Sequence, residues 1–384
     1  MQKPDGVSQP NCEPFLVSDS IVVLIVAISA RAIAESIIRA GMIAIAIDAF
    51  GDEDARAACR ELVVAPDSQN GFAHCDLDAM TSHLMRAHKP VGIVYGAGFE
   101  DCPDQLTRLA RHAALFGASP AAVASAKDPV RLSQLCAAVG LRHPEIKMTP
   151  PLLLQGWILK RAGGSGGRHI RNAATQHAKT AADYWQRRID GRSVSLLFTC
   201  DDREIVPLGW SEQWTEPSHT MPYRYGGAAG PMVCPKEIGV LEALSRLART
   251  LGLKGLASAD FIDDGCNLWL LEINPRPGAT LDVFDDALDP LMQRHVSVSD
   301  VPIGRPRQNQ GAKASGVVYA KEDMVIPKLE WPSWVADRPA AGTVISEDAP
   351  ICTVHAEAEN ISRAKALLSA RSRSALELAR KGAS

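Results

Sequence analysis

The chain has 384 residues, of which 46% are apolar and 22% are charged, an ordinary composition for a globular protein of two or three domains. Its formal net charge of -3 argues against a basic surface that would gather nucleic acid or anionic lipid. Nine cysteines occur without a CxxC pair, which argues against disulfides and structural zinc and indicates a reducing, cytoplasmic location.

The first domain is predicted over residues 18–120, after a loose lead-in over residues 1–17. The runs IVVLIVAIS and MIAIAIDAF have the continuous apolar character of buried parallel strands, and a helical segment lies between them. This βαβ pattern predicts a doubly wound parallel sheet. The first strand is followed by SAR in place of GxGxxG, so no dinucleotide site is predicted. The apolar run 21–30 is too short to span a bilayer, and no membrane association is expected.

A second domain is predicted over residues 121–300, and its first half carries two lysines in notable settings. Lys127 stands just before Asp128-Pro129, a pair typical of a helix start, so its ammonium lies near a helix N-terminus. Lys160 ends the strand-like segment GWILK and is followed by a glycine-rich stretch. That stretch consists of Gly163, Gly164, Ser165, Gly166 and Gly167. Glycines let a backbone approach phosphate oxygens closely, so the stretch fits a lid over a triphosphate, with an ordinary surface loop as the alternative.

The segment that follows is predicted to be an antiparallel meander, which distinguishes it from the parallel first domain. Residues 216–231 are predicted to be a long loop, and a loop of that length without regular structure is usually either mobile or functional. The residues of interest in this loop are Arg224, Tyr225, Gly226 and Gly227.

The most informative stretch is the predicted hairpin GLASADFIDDGCNLWLLEINPRPGATL, which turns at Asp264-Gly265. Strand alternation puts Glu272 and Asn274 on one face, and a turn near Gly265 brings Asp260 onto that face. Such hard oxygen ligands suit Mg²⁺ bridging substrate phosphates. Arg276 follows on backbone stiffened by the two flanking prolines. Residues 301–384 are predicted to form a small α+β segment.

This order of motifs resembles the ATP-grasp superfamily of carboxylate–amine ligases. The resemblance implies an α/β ATP-grasp fold, with an N-terminal doubly wound parallel (pre-ATP-grasp) domain and a small C-terminal α+β appendage. It further implies that Lys127 and Lys160 contact the nucleotide phosphates under a flap formed by Gly163 to Gly167. Gln186 and Ile189 match the adenine-binding hinge.

The same resemblance assigns Asp260, Glu272 and Asn274 as ligands of two Mg²⁺ ions. It assigns Arg276 to the acyl phosphate. One position departs from the family pattern, because Ser193 stands where an acidic residue often holds the ribose, and Asp190 is the alternative. ATP is expected in preference to GTP, and a homodimer is expected from the habit of the superfamily.

Within the superfamily, LLEINPRPGATLDVF and PYRYGGAAGP are similar to the tyramine/tyrosine–glutamate ligases of methanofuran-type (methylofuran) cofactor biosynthesis. This narrower resemblance implies small-molecule carboxylate and amine substrates, with glutamate as the acid, and assigns substrate contacts to Arg224, Tyr225, Gly226 and Gly227. Two alternatives stay open. One is a carboxylase-like enzyme that forms carboxyphosphate, and the other is a non-catalytic nucleotide-binding protein.

Overall fold

The computed structural model describes residues 21–174, 180–201, 204–234, 236–296 and 311–380. The chain begins with a five-stranded sheet of order β3-β2-β1-β4-β5, in which every pairing is parallel. Its elements are β1 Val22–Ala27, α1 Arg31–Arg39, β2 Ile43–Asp48, α2 Glu53–Ala58, β3 Leu62–Val64, α3 Leu77–His88, β4 Ile93–Tyr95, α4 Pro103–Leu109 and β5 Leu115–Phe116. The predicted doubly wound sheet is therefore confirmed. Its order reverses between β1 and β4, and a crevice opens at such a reversal beyond the carboxyl ends of the strands.

The N-terminus of α1 is occupied by a carboxylate of the chain itself. Asp48, at the end of β2, accepts hydrogen bonds from the backbone N–H groups of Ala30 at 2.7 Å and of Gly51 at 2.6 Å. In a dinucleotide-binding fold this pole would face the pyrophosphate. The arrangement agrees with the SAR sequence, which lacks the glycines of such a site.

Two capped helices carry the chain into the next region, α5 Pro120–Lys127 and α6 Pro129–Val139. The Asp128 carboxylate accepts the N–H groups of Val130 and Arg131, both at 2.9 Å, as predicted for a helix N-cap. A four-stranded sheet of order β6-β9-β7-β8 follows. Its strands are β6 Ile146–Lys147, β7 Trp157–Arg161, β8 Arg171–Asn172 and β9 Asp183–Arg187.

The largest sheet has eight strands in the order β14-β13-β10-β11-β12-β15-β19-β17, and all its pairings are antiparallel. The remaining elements are β10 Arg192–Cys200, β11 Ile205–Thr215, β12 Tyr225–Met232, α7 Glu237–Leu251, β13 Gly255–Asp263, β14 Leu268–Asn274, α8 Leu281–Phe284, α9 Leu291–Val296, β15 Ala312–Tyr319, β16 Met324–Val325, β17 Val335–Ala336, β18 Val344–Ile345, β19 Pro350–Ala358 and α10 Ile361–Arg380. The last segment thus shares one sheet with the preceding region through β12 and β15. The predicted boundary at residue 300 lies outside the described residues.

One prediction about this sheet is wrong in its second half, because residues 216–224 do form a loop but the predicted loop extends too far. Residues 216–231 were expected to be a loop, whereas Tyr225–Met232 form strand β12 between β11 and β15. The sequence YGGAAGPM has a weak intrinsic preference for strand. Packing decides instead, because a Cβ on Gly227 would lie 2.4 Å from the Ser315 carbonyl oxygen and from the Trp214 ring. Only small residues allow the neighbouring backbones to approach this closely.

None of the helices in the described ranges has the length and apolar character needed to cross a bilayer.

Candidate active site

The hairpin β13–β14 brings the three predicted metal ligands together as expected. Asp260 pairs directly with Glu272, and Ser258 pairs with Asn274. The Asn274 side-chain amide donates to Asp260 Oδ2 at 2.9 Å. Ser195, on the adjacent strand β10, donates its hydroxyl to Asp260 Oδ1 at 2.6 Å, a contact that the sequence did not reveal.

Two buried lysines face these ligands from different elements. Lys127, the last residue of α5, donates to Asn274 Oδ1 at 2.7 Å and lies 3.7 Å from Glu272 Oε2. Lys160, on β7, donates to Gln186 Oε1 at 3.4 Å. Both lysines contribute to one narrow cavity, whose other polar lining residues include Glu272, Tyr184 and His169. The structure therefore assembles residues 127, 160 and 272 around a single buried space.

The pKa values of the two carboxylates in this space are shifted in opposite directions. Burial and the charge of Glu272 raise the pKa of Asp260 to about 6. Burial also opposes ionisation of Glu272, but the positive charges of Lys127 and Lys160 outweigh it and lower the pKa of Glu272 to about 2. For Lys160, burial is outweighed by Tyr184 and Glu272, so its pKa is raised.

The donor set fits magnesium. Two carboxylates and one amide oxygen meet on one face, and oxygen ligands of this kind suit Mg²⁺, which usually keeps few protein ligands and completes its shell with phosphates and water. Within the described residues there is no group of three or more His, Cys, Asp and Glu side chains that could hold a metal without such help. Asp260, Glu272 and Asn274 are the residues that would hold the ion.

The glycine stretch borders the cavity and packs against two other parts of the chain, around residues 100 and 223–225. The φ angles of Gly163, Gly166 and Gly167 are positive, at 74°, 62° and 69°. The Gly166 carbonyl accepts the Tyr225 N–H at 2.9 Å, and a Cβ on Gly167 would lie 1.8 Å from the Tyr223 carbonyl oxygen. A Cβ on Gly163 would lie 2.5 Å from the Glu100 carbonyl oxygen.

His169 follows the glycines and was missed by sequence analysis. Its ring packs on Gly164, where a Cβ would lie 2.1 Å from it, and its Nδ1 atom is buried with no hydrogen-bond partner among the described residues. Burial and the charge of Lys160 lower the pKa of His169 to about 4, so the ring is neutral at pH 7. An unpaired buried nitrogen beside two lysines suits a phosphate oxygen as partner.

Of the two hinge residues, Gln186 lies on strand β9 and Ile189 follows the end of that strand. Gln186 is fully buried on β9, and its Nε2 has no partner among the described residues, which leaves a donor for an acceptor atom of a base. Ile189 lies just after β9 and is half-buried. Ser193 is on β10 opposite Ile262. Asp190 is 84% exposed and pairs with Arg188 at 2.8 Å, so its carboxylate is already engaged at the surface.

Arg276 is held by Glu100, a residue of the N-terminal domain that sequence analysis did not single out. Arg276 donates Nε at 2.9 Å and Nη2 at 2.8 Å to Glu100 Oε1, and only 11% of the Arg276 side chain and 3% of the Glu100 side chain are exposed. Burial disfavours the Glu100 carboxylate, but the charges of Arg276 and Lys127 outweigh it and lower its pKa. The available signal was its place after the glycine-rich tip of β4, at the crevice.

The four predicted substrate residues divide into two groups. Arg224 is buried and donates to the Asp348 carbonyl at 2.9 Å and the Glu216 carbonyl at 2.9 Å, while its guanidinium stacks 3.7 Å from the centre of the Tyr319 ring. Gly226 and Gly227 pack against Trp214. These three contact the chain itself. Tyr225 differs, because its hydroxyl is buried without a partner in the described part of the chain. Burial, together with the negative charges of Asp282 and Asp260, raises the pKa of this hydroxyl.

Comparisons with known proteins identify the fold that carries these residues. A family model described as an ATP-grasp domain matches residues 130–280. The large chain of carbamoyl phosphate synthase from Thermus thermophilus is 21% identical over 285 residues, covering 66% of this chain and 27% of that protein. This chain therefore spans about a quarter of the length of that curated relative.

Solved structures share the fold over nearly the whole chain. The biotin carboxylase domain of 2-oxoglutarate carboxylase from Hydrogenobacter thermophilus, a dimer in complex with MgADP, ADP and bicarbonate, has a TM-score of 0.69 at 14% identity, covering 93% of this chain and 89% of that one. N5-carboxyaminoimidazole synthetase from Staphylococcus aureus, complexed with ADP, has a TM-score of 0.66 at 14% identity, covering 92% of this chain and 97% of that one. Residues 130–280 therefore match an ATP-grasp domain, and the chain has the α/β ATP-grasp fold, preceded by a parallel five-stranded domain. Among solved structures, that fold is shared with biotin carboxylases and N5-carboxyaminoimidazole synthetase.

Proposed function

We propose that this protein is an ATP-dependent enzyme that phosphorylates a carboxyl-type oxyanion and transfers the activated carbonyl group to an amine. The observation that carries the proposal is the convergence of Lys127, Lys160 and Glu272 on one buried cavity beneath a glycine flap. Asp260 and Asn274 lie on the same face of the hairpin, and Arg276 follows them directly.

The chemistry proceeds in two balanced steps. An oxygen of the oxyanion attacks the γ-phosphorus of ATP, the bond from that phosphorus to the bridging oxygen breaks, and ADP leaves. The amine nitrogen then attacks the activated carbonyl carbon, the bond to the phosphate oxygen breaks, and phosphate leaves with the nitrogen losing a proton. When bound, Mg²⁺ neutralises phosphate charge.

The residues of this chain have distinct parts in that scheme. Lys127 and Lys160 place two buried positive charges where the transferred phosphoryl group carries negative charge. Gln186 and Ile189 form the base-binding edge, and the flap keeps water from the activated intermediate. Arg276 stabilises the activated carboxyl group and the tetrahedral species derived from it.

The similar proteins favour bicarbonate as the oxyanion, because they include 2-oxoglutarate carboxylase, N5-carboxyaminoimidazole synthetase and carbamoyl phosphate synthase. The carboxyphosphate route is thus the better supported form of the proposal. The narrower alternative, a glutamate carboxylate joined to tyramine or tyrosine in methanofuran-type cofactor biosynthesis, rests on two sequence segments. In that alternative Tyr225 is the best candidate for a substrate contact, because its buried hydroxyl has no hydrogen-bond partner among the described residues.

The test is ADP release from MgATP, measured with and without bicarbonate, and with glutamate, each against a panel of amines. Bicarbonate-dependent release supports the carboxyphosphate route, and release that needs glutamate with tyramine or tyrosine supports the ligase route. Tight MgATP binding without turnover on any pair would contradict an enzymatic function and favour a nucleotide sensor. The predicted homodimer, for which the dimer of the Hydrogenobacter domain is the support, is tested by light scattering on the same preparation.

A further inference from the structure

Residues 98–101 form a turn that follows β4 at the crevice of the N-terminal domain. Backbone N–H groups of this turn hold the carboxylate of Glu100 in place. Glu100 Oε2 accepts the N–H groups of Gly98 at 2.8 Å and Phe99 at 3.1 Å. Its other oxygen, Oε1, is left to face the arginine. A carboxylate held by its own turn in this way has little freedom to follow a moving partner.

The side chain of Arg276 is also held in place by several contacts. Two of its nitrogens reach Glu100 Oε1, and the third, Nη1, donates to the Pro277 carbonyl at 3.3 Å. Gly278 makes room for this orientation, because a Cβ there would lie 2.5 Å from Nη1 of Arg276. The Tyr95 hydroxyl, which donates to the Ala118 carbonyl at 2.6 Å, also lies 3.2 Å from the Pro275 carbonyl, so the backbone that precedes Arg276 is close to β4 as well.

The backbone of the same turn supports the flap. A Cβ on Gly163 would lie 2.5 Å from the Glu100 carbonyl oxygen and 2.6 Å from Asp101 Cα. Gly166 belongs to the same flap and also has a positive φ, yet nothing lies within 4 Å of a Cβ there. A side chain added at Gly163 would therefore meet the N-terminal domain, whereas a side chain added at Gly166 would point into open space.

We propose that Glu100 is a positioning residue for Arg276, and that the 98–101 turn couples seating of the flap to the orientation of that arginine. The side chain of the turn holds Arg276 while its backbone receives Gly163, so both depend on one short segment. This inference rests on the proposed function, in which Arg276 stabilises the activated carboxyl group. It gives the N-terminal domain an indirect part in the chemistry, through the orientation of Arg276.

The first test is hydrogen–deuterium exchange on the full chain without ligand, read in the peptides that cover residues 162–167 and 273–280. Glu100→Gln keeps the side-chain shape and removes the charge, and Asp289→Asn is the matched control because Asp289 pairs with Arg294 through two contacts of 3.0 and 2.5 Å. We expect faster exchange in both peptides for Glu100→Gln and in neither for the control. An unchanged 273–280 peptide would overturn the positioning role, and an unchanged 162–167 peptide would overturn the coupling.

The second test starts from the flap. Gly163→Ala and Gly166→Ala impose a similar positive-φ strain, but only Gly163→Ala clashes with the 98–101 turn. Gly163→Ala should speed exchange in the 273–280 peptide, whereas Gly166→Ala should affect the flap alone. Equal effects of the two variants on the 273–280 peptide would refute coupling through the turn.

Kinetics separate this inference from the proposed function. For Glu100→Gln we expect kcat to fall about 100-fold with the KM for MgATP little changed, because a misplaced catalytic group costs roughly that much. A loss confined to the KM would indicate a structural role and overturn the inference. If the wild-type chain shows no turnover, the proposed function fails, while the exchange experiments still decide whether Glu100 orients Arg276.

Discussion

Glu272 is the residue on which the charges of the site converge. It lies 3.7 Å from the ammonium of Lys127 and directly across the hairpin from Asp260, and the two lysines keep it ionised in a partly buried setting. Its carboxylate is therefore ready to bind a cation at any pH near neutrality. Asp260, with a pKa of about 6, is less completely ionised near neutral pH than Glu272. A bound cation would favour its ionised form.

Glu272→Gln should reduce ADP formation at least about 100-fold, because the amide keeps the shape of the side chain but loses the charge that would help to hold Mg²⁺. The assay is coupled ADP release, with thermal unfolding as the check on the fold. Glu242→Gln is the control, since Glu242 is 80% exposed on α7 and should leave activity unchanged. Activity of Glu272→Gln close to that of wild type would remove the metal-ligand assignment.

His169→Ala should weaken binding of MgADP about 10- to 100-fold, the range expected when a hydrogen bond to a charged phosphate is lost. The buried, unpaired Nδ1 next to Lys160 is the reason. Titration calorimetry measures the effect, and His83→Ala at the surface serves as the control. Binding as tight as wild type would show that the ring only fills space beneath the flap.

The site could be predicted from sequence only where its residues stand in local patterns. Glu272 and Asn274 share a face through strand alternation alone, whereas Asp260 joins them through a register shift between Asp260 and Phe261 that the sequence did not reveal, and without that shift it would oppose Leu271. Glu100 and Ser195 could not be found in this way, because their partners, Arg276 and Asp260, are distant in sequence and adjacent only in the fold.

At the scale of elements, the same limit explains strand β12. Local propensity predicted a loop there, whereas close approach of β11 and β15 selects small residues for a strand. The parallel strands β1 and β2 were predictable because their apolar runs are continuous and buried. Short elements such as β16 and β17 carry too few residues for any periodic signal.

Gly227→Ala should destabilise the protein by about 1–3 kcal/mol, the usual cost of adding a methyl group to a filled space. The added Cβ would meet the Ser315 carbonyl and the Trp214 ring at 2.4 Å. Gly239→Ala is the matched control, because that glycine lies in α7 with nothing within 4 Å, and alanine there should stabilise by about 0.5–1 kcal/mol. Urea unfolding measures the free energy of unfolding of both variants. Equal values for the two would contradict the packing explanation of β12.

At the scale of the whole molecule, one arginine joins three parts of the chain. Arg31 at the start of α1 donates to Asp282 on α8 at 2.6 and 2.8 Å, and to Asp337 in the C-terminal region at 3.0 and 3.1 Å. Its side chain is 2% exposed. From β19, His355 Nε2 approaches Asp282 Oδ2 at 3.4 Å. Removing a partner from such a buried network leaves an uncompensated charge, which is strongly destabilising.

This junction predicts a pH-dependent stability. Burial lowers the pKa of His355, but Asp282 outweighs it, with Asp337 adding to the rise and Arg31 opposing it, so the folded pKa lies above that of the unfolded chain. The stabilisation is therefore complete below about pH 6.5 and is lost as the pH rises through the folded pKa. The melting temperature of His355→Gln should fall furthest below that of wild type near pH 6, and the gap should narrow towards pH 9. A gap that stays constant or widens with pH would contradict this account.

The continuous eight-stranded sheet also determines which fragments of the protein can remain well folded. Strand β12 has one neighbour within residues 130–280 and the other, β15, beyond them. A fragment limited to the matched segment would therefore present an unpaired row of backbone N–H and C=O groups, which invites edge-to-edge aggregation. Expression trials that aim at a minimal soluble unit should keep the chain through β19, so that β15 covers that edge and β19 covers β15.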